Sequence, residues 1–442
     1  MKKIMLLLAV LVLTGTVVFA AGGSQAPAGS SVLRWSYWGG EARLRVVQQA
    51  LDVFNSESGG IVVAGEPAPG TNENFQKFLV QFAGGNAVDL IQLGGTFSNL
   101  GIDDNLSSSP KLADFLLPLD DYVKSGALKI SDVDPAAIKG GTRDGKLYAI
   151  PVAMNMPAMI YNKSLLTRIG APLPKVSMTW AEFETWLGQV KARMPATPTN
   201  QMYPMTDNSA TASGSVFFGY WSGDNGTPMF DGKVTKLTPA DVQKYFEMWA
   251  RWRQSGWIPP ASVSADYAET NESTSALIAG RTAIAQVWSN NIANYQAATR
   301  DELDLIELPN AAVKNGLWGQ MSQMTGITKN TKNPAAAVKF LNFYVNDRRA
   351  WDYLLDTYGM PVSAAGRAAV NAKATDTIKK QIAYLDVAGK HSSAPNPNMP
   401  SDTEWNSGLF LIAQNVAYGR VTPAAGGQQV IDLINRLIAA QK

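Results

Sequence analysis

The chain has 442 residues, 46% of them hydrophobic, with 38 basic and 36 acidic side chains, a single histidine and no cysteine. This composition excludes disulfides, thiolate metal sites, cysteine nucleophiles and histidine-rich metal centres, so we expect no metal and no other cofactor. The near-zero net charge, without long runs of one sign, argues against a nucleic-acid partner, and at roughly 150 residues per domain the length predicts two or three domains.

Residues 1–20 have the features of a secretory signal peptide. Lys2 and Lys3 precede an apolar run that starts at Ile4, and Val18-Phe19-Ala20 offers a small-residue cleavage site. A membrane anchor is the alternative, but the run is shorter than the roughly 20 residues that a spanning helix needs. No cysteine stands at the cleavage site to carry a lipid, so we expect a soluble, periplasmic mature chain.

Residues 21–31 are rich in glycine and serine and are predicted to form a flexible leader. Beyond them, hydrophobic periodicity predicts strands at 32–38, 61–64 and 88–93, and helices at 41–55 and 74–83. Strands that alternate with helices at this spacing predict a parallel sheet in an α/β domain. Ligands of such sheets bind beyond the carboxyl ends of the strands.

Two of these strand ends carry candidate binding residues. The first strand ends in Trp38-Gly39-Gly40-Glu41, and the third is followed by Gly94-Gly95-Thr96. Glycine lets a ligand approach the backbone, and the indole of Trp38 offers a flat apolar face beside it. We therefore predict that Trp38, Gly39, Gly40, Glu41 and Thr96 contact a ligand.

Three segments then follow in a characteristic order. A strand begins at Gly145-Lys146 and reaches Pro151, Tyr161-Asn162-Lys163 comes next, and Thr179-Trp180-Ala181-Glu182 forms a capping box at a helix start. Together with residues 84–90, 280–285 and 333–341, this order resembles the extracellular solute-binding proteins of bacterial ABC importers, in the branch that binds sugars and oligosaccharides. The resemblance covers essentially the whole mature chain.

The resemblance implies an α/β fold with two discontinuous lobes and a ligand cleft between them. Crossings between the lobes are expected near 153–157, 321–325 and 357–361. Lobe 1 would comprise 32–153 and 322–357, and lobe 2 would comprise 154–321 and 358–442. Ligand would close the lobes about these hinges, and permease subunits in the membrane would recognise the closed form. The expected partners are thus a carbohydrate and a permease, with the receptor itself a monomer.

Aromatic and amide side chains are the natural partners of a sugar, whose C–H faces stack on rings and whose hydroxyls bond to planar polar groups. Among the 12 tryptophans, five fall in amphipathic helical stretches and are predicted to pack in the core: Trp180, Trp186, Trp249, Trp252 and Trp351. Five others are predicted at strand ends or in loops, where they line the cleft or plug the edge of a core: Trp38, Trp221, Trp288, Trp318 and Trp405.

The polar candidates are Arg43, Asn155, Asn290, Gln320 and Tyr358. The segment from Trp38 to Arg43 resembles the family branch that takes up pectin-derived oligosaccharides, so Arg43 is a candidate for binding a ligand carboxylate. The alternative is a solvated Arg43 paired with Glu41 or Glu66. Asn155, at the first crossing, either touches ligand or stabilises a turn, and Gln320 and Tyr358 lie near the other two crossings.

Catalytic motifs are weak in this sequence. His391 lies in a polar loop without a partner that suggests a triad, and Ser108-Ser109-Pro110-Lys111 lacks the companion motifs of its class. The adjacent pairs Asp103-Asp104 and Asp120-Asp121 do not face each other on a helix or strand. We therefore predict a periplasmic carbohydrate receptor and no enzyme. The alternatives are a secreted glycoside hydrolase with carboxylates assembled by the fold, and a surface adhesion protein.

Overall fold

The computed structural model describes residues 30–94, 112–195, 201–209, 215–225, 229–230, 234–267, 272–393 and 402–440. The predicted signal peptide, most of the predicted leader and Thr96 lie outside these ranges. Within them, no helix is long and apolar enough to cross a membrane.

The described residues form fourteen strands: β1 (Ser31–Trp38), β2 (Ile61–Ala68), β3 (Leu90–Leu93), β4 (Thr142–Arg143), β5 (Lys146–Leu147), β6 (Ala149–Asn155), β7 (Pro157–Asn162), β8 (Tyr203–Met205), β9 (Thr282–Trp288), β10 (Leu303–Ile306), β11 (Leu317–Trp318), β12 (Gln320–Ile327), β13 (Met360–Pro361) and β14 (Ser392–Ser393).

They also form eighteen α-helices: α1 (Glu41–Glu57), α2 (Thr71–Ala83), α3 (Leu112–Phe115), α4 (Asp120–Lys124), α5 (Pro135–Gly140), α6 (Lys163–Arg168), α7 (Trp180–Arg193), α8 (Ser215–Asn225), α9 (Pro239–Gln254), α10 (Ala261–Ser264), α11 (Asn291–Ala297), α12 (Ala311–Lys314), α13 (Pro334–Asn346), α14 (Arg348–Leu354), α15 (Ala364–Ala372), α16 (Asp376–Ala388), α17 (Asp402–Ala417) and α18 (Pro423–Ala439).

The first lobe is built on a six-stranded sheet with the order β13-β6-β12-β3-β1-β2. Its β1 strand runs parallel to both β2 and β3, so the predicted alternation of strands and helices at the start of the chain is confirmed. Trp35 in β1 is fully buried, and its indole packs edge-on against Tyr344 of α13 at 4.9 Å between ring centroids. Helices from distant parts of the chain, α2 and α13, thus both contact this sheet.

The second lobe is built on a four-stranded sheet with the order β10-β7-β9-β8. Strand β7 is antiparallel to β10 and β9, whereas β8 is parallel to β9. The tryptophans predicted to pack do so: Trp186, Trp249 and Trp252 are buried in this lobe, Trp351 is buried in the first, and Trp180 is half-buried against the second core. Thr179 and Glu182 form the predicted capping box at the start of α7.

The chain crosses between the two sheets at three places. Strand β6 in the first sheet ends at Asn155 and β7 in the second begins at Pro157, so the first crossing is at Met156, inside the predicted range 153–157. The chain returns at Gly319, between β11 and β12, slightly before the predicted 321–325. The third crossing lies at 373–375, between α15, which contacts α13 and α14, and α16, which contacts α11 and β10.

The predicted crossing at 357–361 is therefore wrong. Met360 and Pro361 pair with Met154 and Ala153, which adds β13 to the edge of the first sheet. Tyr358, Val362 and Ala369 belong to the hydrophobic core of the first lobe. Residues 358–372 consequently pack with lobe 1 and not with lobe 2, and the other predicted lobe boundaries stay predictions.

Candidate functional site

The carboxyl ends of the central strands in the first lobe lie on the side where the chain crosses. Parallel strands β1 and β3 end at Trp38 and Leu93. Antiparallel strand β12 begins on the same side with Gln320, immediately after the crossing at Gly319. The predicted binding residues that follow β1 therefore lie toward the second lobe.

The second lobe presents strand ends to the same junction. Strand β9 ends at Trp288, which pairs with Pro157, the residue that follows the first crossing. Strand β8 runs parallel to β9 and ends on the same side. Since ligands of α/β sheets bind beyond the carboxyl ends of strands, the junction of the lobes is the candidate site.

Trp38 is the last residue of β1 and is mostly enclosed. Its side chain is 8% exposed and packs against Phe75, with 6.2 Å between ring centroids. Its backbone N–H donates to Oε1 of the buried Gln92, at 3.4 Å. Trp38 thus forms part of the wall of the junction, and its contact with a ligand stays a prediction.

Residues 38–43, here called the first-lobe lip, join β1 to α1. The Gly39 N–H donates to the Ala68 carbonyl at 3.1 Å, and Gly40 is the extended residue that precedes α1. A Cβ atom on Gly39 would lie 2.5 Å from Cδ of Arg43, so glycine is needed here for the lip to close over that side chain. Glu41 is exposed and faces Arg45, with 3.5 Å between Nη1 and Oε1.

Arg43 is half-buried and contacts a distant turn of the chain. Its Nη2 donates to the Thr357 carbonyl at 3.3 Å. Its guanidinium carbon lies 5.1 Å from the centroid of the Tyr358 ring, within the range of a cation–π contact. In the described part of the chain, no carboxylate forms an ion pair with Arg43.

The alternative pairing of Arg43 with Glu66 is wrong because Glu66 is engaged elsewhere. Arg34 Nε lies 2.5 Å and Lys77 Nζ 2.8 Å from its two carboxylate oxygens, and Gln81 donates to it as well. Burial alone would raise the pKa of Glu66, but the hydrogen bonds from Arg34, Lys77 and Gln81 outweigh it and lower the pKa to about 2.

Tyr358 does not line the junction as predicted. Its side chain is 1% exposed, and its hydroxyl accepts a hydrogen bond from the Tyr344 hydroxyl at 2.8 Å. Burial raises the pKa of Tyr358, an effect that the charge of Arg43 opposes, and burial raises the pKa of Tyr344 well above its ordinary value. The Tyr358 ring is therefore a neutral support under Arg43, enclosed by the first core.

Asn155 is directed toward the same turn. Its Nδ2 donates to the Tyr358 carbonyl at 3.4 Å, and its Oδ1 is buried without a hydrogen-bond partner in the described structure. Gly359 has φ = +108°, and a Cβ atom there would lie 2.0 Å from Oδ1 of Asn155. The geometry favours the turn-stabilising role over a ligand contact, which stays a prediction.

Trp288 is the half-buried indole on the second-lobe side. Its backbone N–H donates to Oδ1 of Asn291 at 2.8 Å, which fixes the end of β9 to the start of α11. Its ring meets the buried Trp318 edge to face, at 6.3 Å and 88°. Of the five tryptophans predicted to line the cleft, Trp288 is the one that is half-buried, and the other four are buried.

Besides Trp288, the region of the first crossing contains a pair of hydrogen bonds and two amide side chains. Ser289 and Met156 exchange hydrogen bonds: the Ser289 N–H donates to the Met156 carbonyl at 2.9 Å, and Ser289 Oγ accepts from the Met156 N–H at 3.2 Å. The next residue, Asn290, is half-buried, and its side chain does not cap α11. Gln320 is also half-buried and pairs with Asn155 across the two strands.

Trp221 and Trp405 are wrongly predicted as loop residues. They lie in α8 and α17, are 8% and 3% exposed, and belong to the second core, where the Trp405 ring lies 6.5 Å from Phe217. Their neighbouring glycine and serine residues suggested loops, yet the helices turn both indoles inward. Thr96 lies outside the described residues.

Sequence reasoning missed several residues that shape the junction. Gln92 and Thr357 each accept one hydrogen bond, from Trp38 and Arg43, and Ser289 exchanges two with Met156 at the first crossing. Ser289 follows Trp288 at a strand end and was open to prediction on that ground. Thr357 acts through its backbone carbonyl, a contact that no pattern of side chains in the sequence predicts.

The only histidine in the sequence takes part in a buried polar cluster. His391 Nδ1 lies 2.6 Å from Oε1 of the buried Glu307, and Ser177 Oγ donates to Oε2 of the same carboxylate at 2.5 Å. In a nucleophilic triad, the hydroxyl bonds to the imidazole rather than to the carboxylate. This arrangement therefore does not activate Ser177, and the described residues contain no metal-binding cluster of acidic, histidine or cysteine side chains.

Comparison with known proteins gives consistent matches. The profile of the bacterial extracellular solute-binding protein family matches residues 49–384. The chain is 24% identical over 302 residues to the maltodextrin-binding protein MdxE of Bacillus subtilis, a match that covers 67% of this chain and 68% of that protein.

Two solved structures share the fold. An extracellular solute-binding protein of family 1 from Alicyclobacillus acidocaldarius superposes with a TM-score of 0.68 at 26% identity, covering 92% of this chain and 98% of that one. A periplasmic oligogalacturonide binding protein from Yersinia enterocolitica, in complex with saturated digalacturonic acid, superposes with a TM-score of 0.76 at 22% identity, covering 93% and 100%.

Proposed function

The chain belongs to the bacterial extracellular solute-binding proteins, and from this premise we propose that it captures a carbohydrate in the periplasm and delivers it to the permease of an ABC importer. The observation that carries the proposal is the junction itself. Strand ends of two α/β lobes meet near the crossings at Met156 and Gly319, and a half-buried indole and two half-buried amides stand there. The maltodextrin-binding relative supports a carbohydrate as the ligand.

The chemistry of the junction suits a hydroxyl-rich ligand. The exposed part of the Trp288 ring can stack on the C–H face of a pyranose, and the amides of Asn290 and Gln320 can donate to and accept from its hydroxyls. In the first lobe, a Cβ atom on Gly40 would meet nothing within 4 Å, so a ligand can approach the backbone there. A ligand held between these groups contacts both lobes.

Contact with both lobes is what converts binding into closure. A ligand shifts the balance between open and closed lobes only by the difference between its affinities for the two states. A sugar that touches Trp288 in one lobe and the lip in the other makes its full set of contacts only when the lobes are closed. Closure would then signal occupancy to the permease.

An acidic sugar is a second candidate ligand, which Arg43 favours. This guanidinium stands in the first-lobe lip without a carboxylate partner in the described residues, and guanidinium binds carboxylates in bidentate fashion. The relative from Yersinia enterocolitica binds oligogalacturonide with the same fold. A uronic oligosaccharide would bring the missing negative charge to Arg43.

We propose binding without catalysis. The matched family is one of binding proteins, and the Ser177-Glu307-His391 cluster has the wrong connectivity for a nucleophile. The alternative function is that of a glycoside hydrolase, which would release reducing ends from the same oligosaccharides.

Calorimetric titration of the purified mature chain with maltotriose and with digalacturonate tests the proposal. We expect at least one of the two to bind stoichiometrically and to raise the melting temperature, since micromolar affinity corresponds to about −8 kcal/mol. Binding of digalacturonate alone would identify the acidic ligand. Failure of a wide panel of neutral and uronic oligosaccharides to bind, or steady release of reducing ends, would overturn the proposal.

A further inference from the structure

Arg43 connects the first-lobe lip to a strained turn at residues 355–359. We call it the crossing turn because it bonds to Asn155, beside the first crossing, although the chain itself does not cross there. In this turn, Leu355 has φ = +44° and ψ = −125°, and Gly359 has φ = +108°. Positive φ is uncommon for leucine and persists only where the surrounding structure imposes it. The crossing turn is therefore held in place by its contacts, and Arg43 supplies two of them, to Thr357 and to Tyr358.

The crossing turn is joined on its other side to the first crossing. The Tyr358 carbonyl accepts from Nδ2 of Asn155, the last residue of β6. Met360, directly after the turn, pairs with Met154 of the same strand. Since β6 runs straight into Met156, the crossing turn is bonded to the strand that ends at the first crossing.

These contacts form an unbroken path from the lip to the pivot: Arg43 to the crossing turn, the crossing turn to Asn155, and Asn155 to Met156. We propose that Arg43 is a positioning residue for lobe closure, which sets the geometry of the first crossing through the crossing turn whether or not the ligand is charged. The inference rests on the proposed function, because it takes closure of the lobes to have a role in uptake.

The chemistry of guanidinium fits this role. One planar group donates to the Thr357 carbonyl while its central carbon lies over the Tyr358 ring, a combination that the tetrahedral ammonium of lysine does not reproduce. Gly39 makes room for the aliphatic part of the same side chain. Arg43 is thus enclosed on three sides by the first lobe, as a structural tether is.

The absence of cysteine allows a direct test. Val80 in lobe 1 and Leu411 in lobe 2 are 73% and 58% exposed, so Val80→Cys and Leu411→Cys together provide two clean labelling sites. Pulsed electron paramagnetic resonance then measures the distribution of distances between the lobes without ligand and with maltotriose or digalacturonate. The variants are Arg43→Met and Arg43→Lys. Arg45→Met, on the exposed face of the same helix, is the matched control.

We expect Arg43→Met and Arg43→Lys to broaden or shift the ligand-free distance distribution, while Arg45→Met leaves it as in the parent. Asn155→Asp, which removes the donor to Tyr358, should produce the same change, and combining it with Arg43→Met should add little, because both interrupt one path. Melting temperatures identify any variant that is simply unfolded.

The ligand-free measurement keeps this inference separate from the proposed function. If no sugar binds, the distances still show whether Arg43 positions the crossing. A ligand-free distribution unchanged in Arg43→Met and in Asn155→Asp would overturn the inference, even if digalacturonate affinity falls, because Arg43 would then act only as a ligand contact. Where maltotriose binds, we expect Arg43→Met to weaken that neutral ligand roughly fivefold or more, the size of a typical coupling between sites.

Discussion

At the scale of single residues, exposure separates the tryptophans that serve the core from the one best placed to meet a ligand. Trp288 stands at a strand end and is half-buried, whereas Trp38, Trp318 and Trp405 are at most 8% exposed. A ring needs an open face to stack on a sugar. Trp288 is therefore the most informative of these tryptophans to mutate.

We predict that Trp288→Ala weakens carbohydrate binding by roughly 2- to 12-fold, the loss of one aromatic contact of about 0.5–1.5 kcal/mol. Calorimetry with maltotriose or digalacturonate measures the change. Trp257→Ala is the matched control, because Trp257 is also half-buried against the second core but follows α9, away from the crossings. Equal affinities for Trp288→Ala and the parent would remove Trp288 from the site.

Glu66 gives the stability of the first lobe a pH dependence with a defined sign. Its pKa is lowered from 4.5 to about 2 in the folded chain, so its contribution is complete above pH 4.5 and is lost as the pH falls toward 2. We predict that Glu66→Gln lowers the melting temperature at pH 7 and that the difference from the parent shrinks between pH 4.5 and 2.

The control for this series is Glu41→Gln, which removes an exposed carboxylate with a single long contact to Arg45. Its melting temperature should follow that of the parent at every pH. A Glu66→Gln difference that stays constant down to pH 2 would show that the three hydrogen bonds of Glu66 do not lower its pKa.

Residue identity predicted part of the site and could not predict the rest. Trp288, Asn290 and Gln320 lie near the first two crossings, where strand ends and the family resemblance predicted candidates, and their contact with a ligand stays a prediction. Tyr358 was misplaced because its hydroxyl bonds to Tyr344, fourteen residues away, and nothing in the local sequence announces that partner. Whether a side chain points toward the core or toward the cleft depends on packing between distant parts of the fold.

At the scale of elements, the crossing turn leaves no room for a side chain at Gly359. A Cβ atom on Gly359 would clash with Asn155 and with the Met154 carbonyl, at 2.0 and 2.9 Å, in addition to the cost of a positive φ. We predict that Gly359→Ala destabilises the chain by well over 1 kcal/mol, measured by chemical unfolding.

Gly419→Ala is the control for this substitution. Gly419 also has a positive φ, of +68°, but a Cβ atom there meets nothing within 4 Å, so this variant carries the backbone cost alone. Adding Asn155→Ala to Gly359→Ala should restore part of the loss by removing the closest clashing atom. Similar stabilities for Gly359→Ala and Gly419→Ala would contradict the packing described for the turn.

Many elements were predictable, and the exceptions are the helices around Trp221 and Trp405 and strand β13. The first three strands and two helices follow from hydrophobic periodicity, and the cap of α7 follows from Thr179 and Glu182. Strand β13 was missed because it has two residues and pairs with residues about 200 positions earlier. So short a strand carries no periodicity. Without it, the third crossing was predicted at 357–361, whereas the structure has it at 373–375.

At the scale of the whole molecule, the separation into two cores explains how one ligand can control shape. Each lobe has its own sheet and its own buried cluster, so the lobes can move relative to each other without exposing either core. The chain passes between the lobes at Met156, Gly319 and 373–375. The sequence resemblance predicted this arrangement, which periodicity alone could not, because the lobes are built from distant parts of the chain.

The most direct test of the account is small-angle X-ray scattering of the mature chain with and without a sugar that calorimetry shows to bind. We predict that the radius of gyration falls when maltotriose or digalacturonate saturates the protein, and that Trp288→Ala requires more ligand for the same change. Saturation without any change in the radius of gyration would contradict closure of the lobes around a carbohydrate.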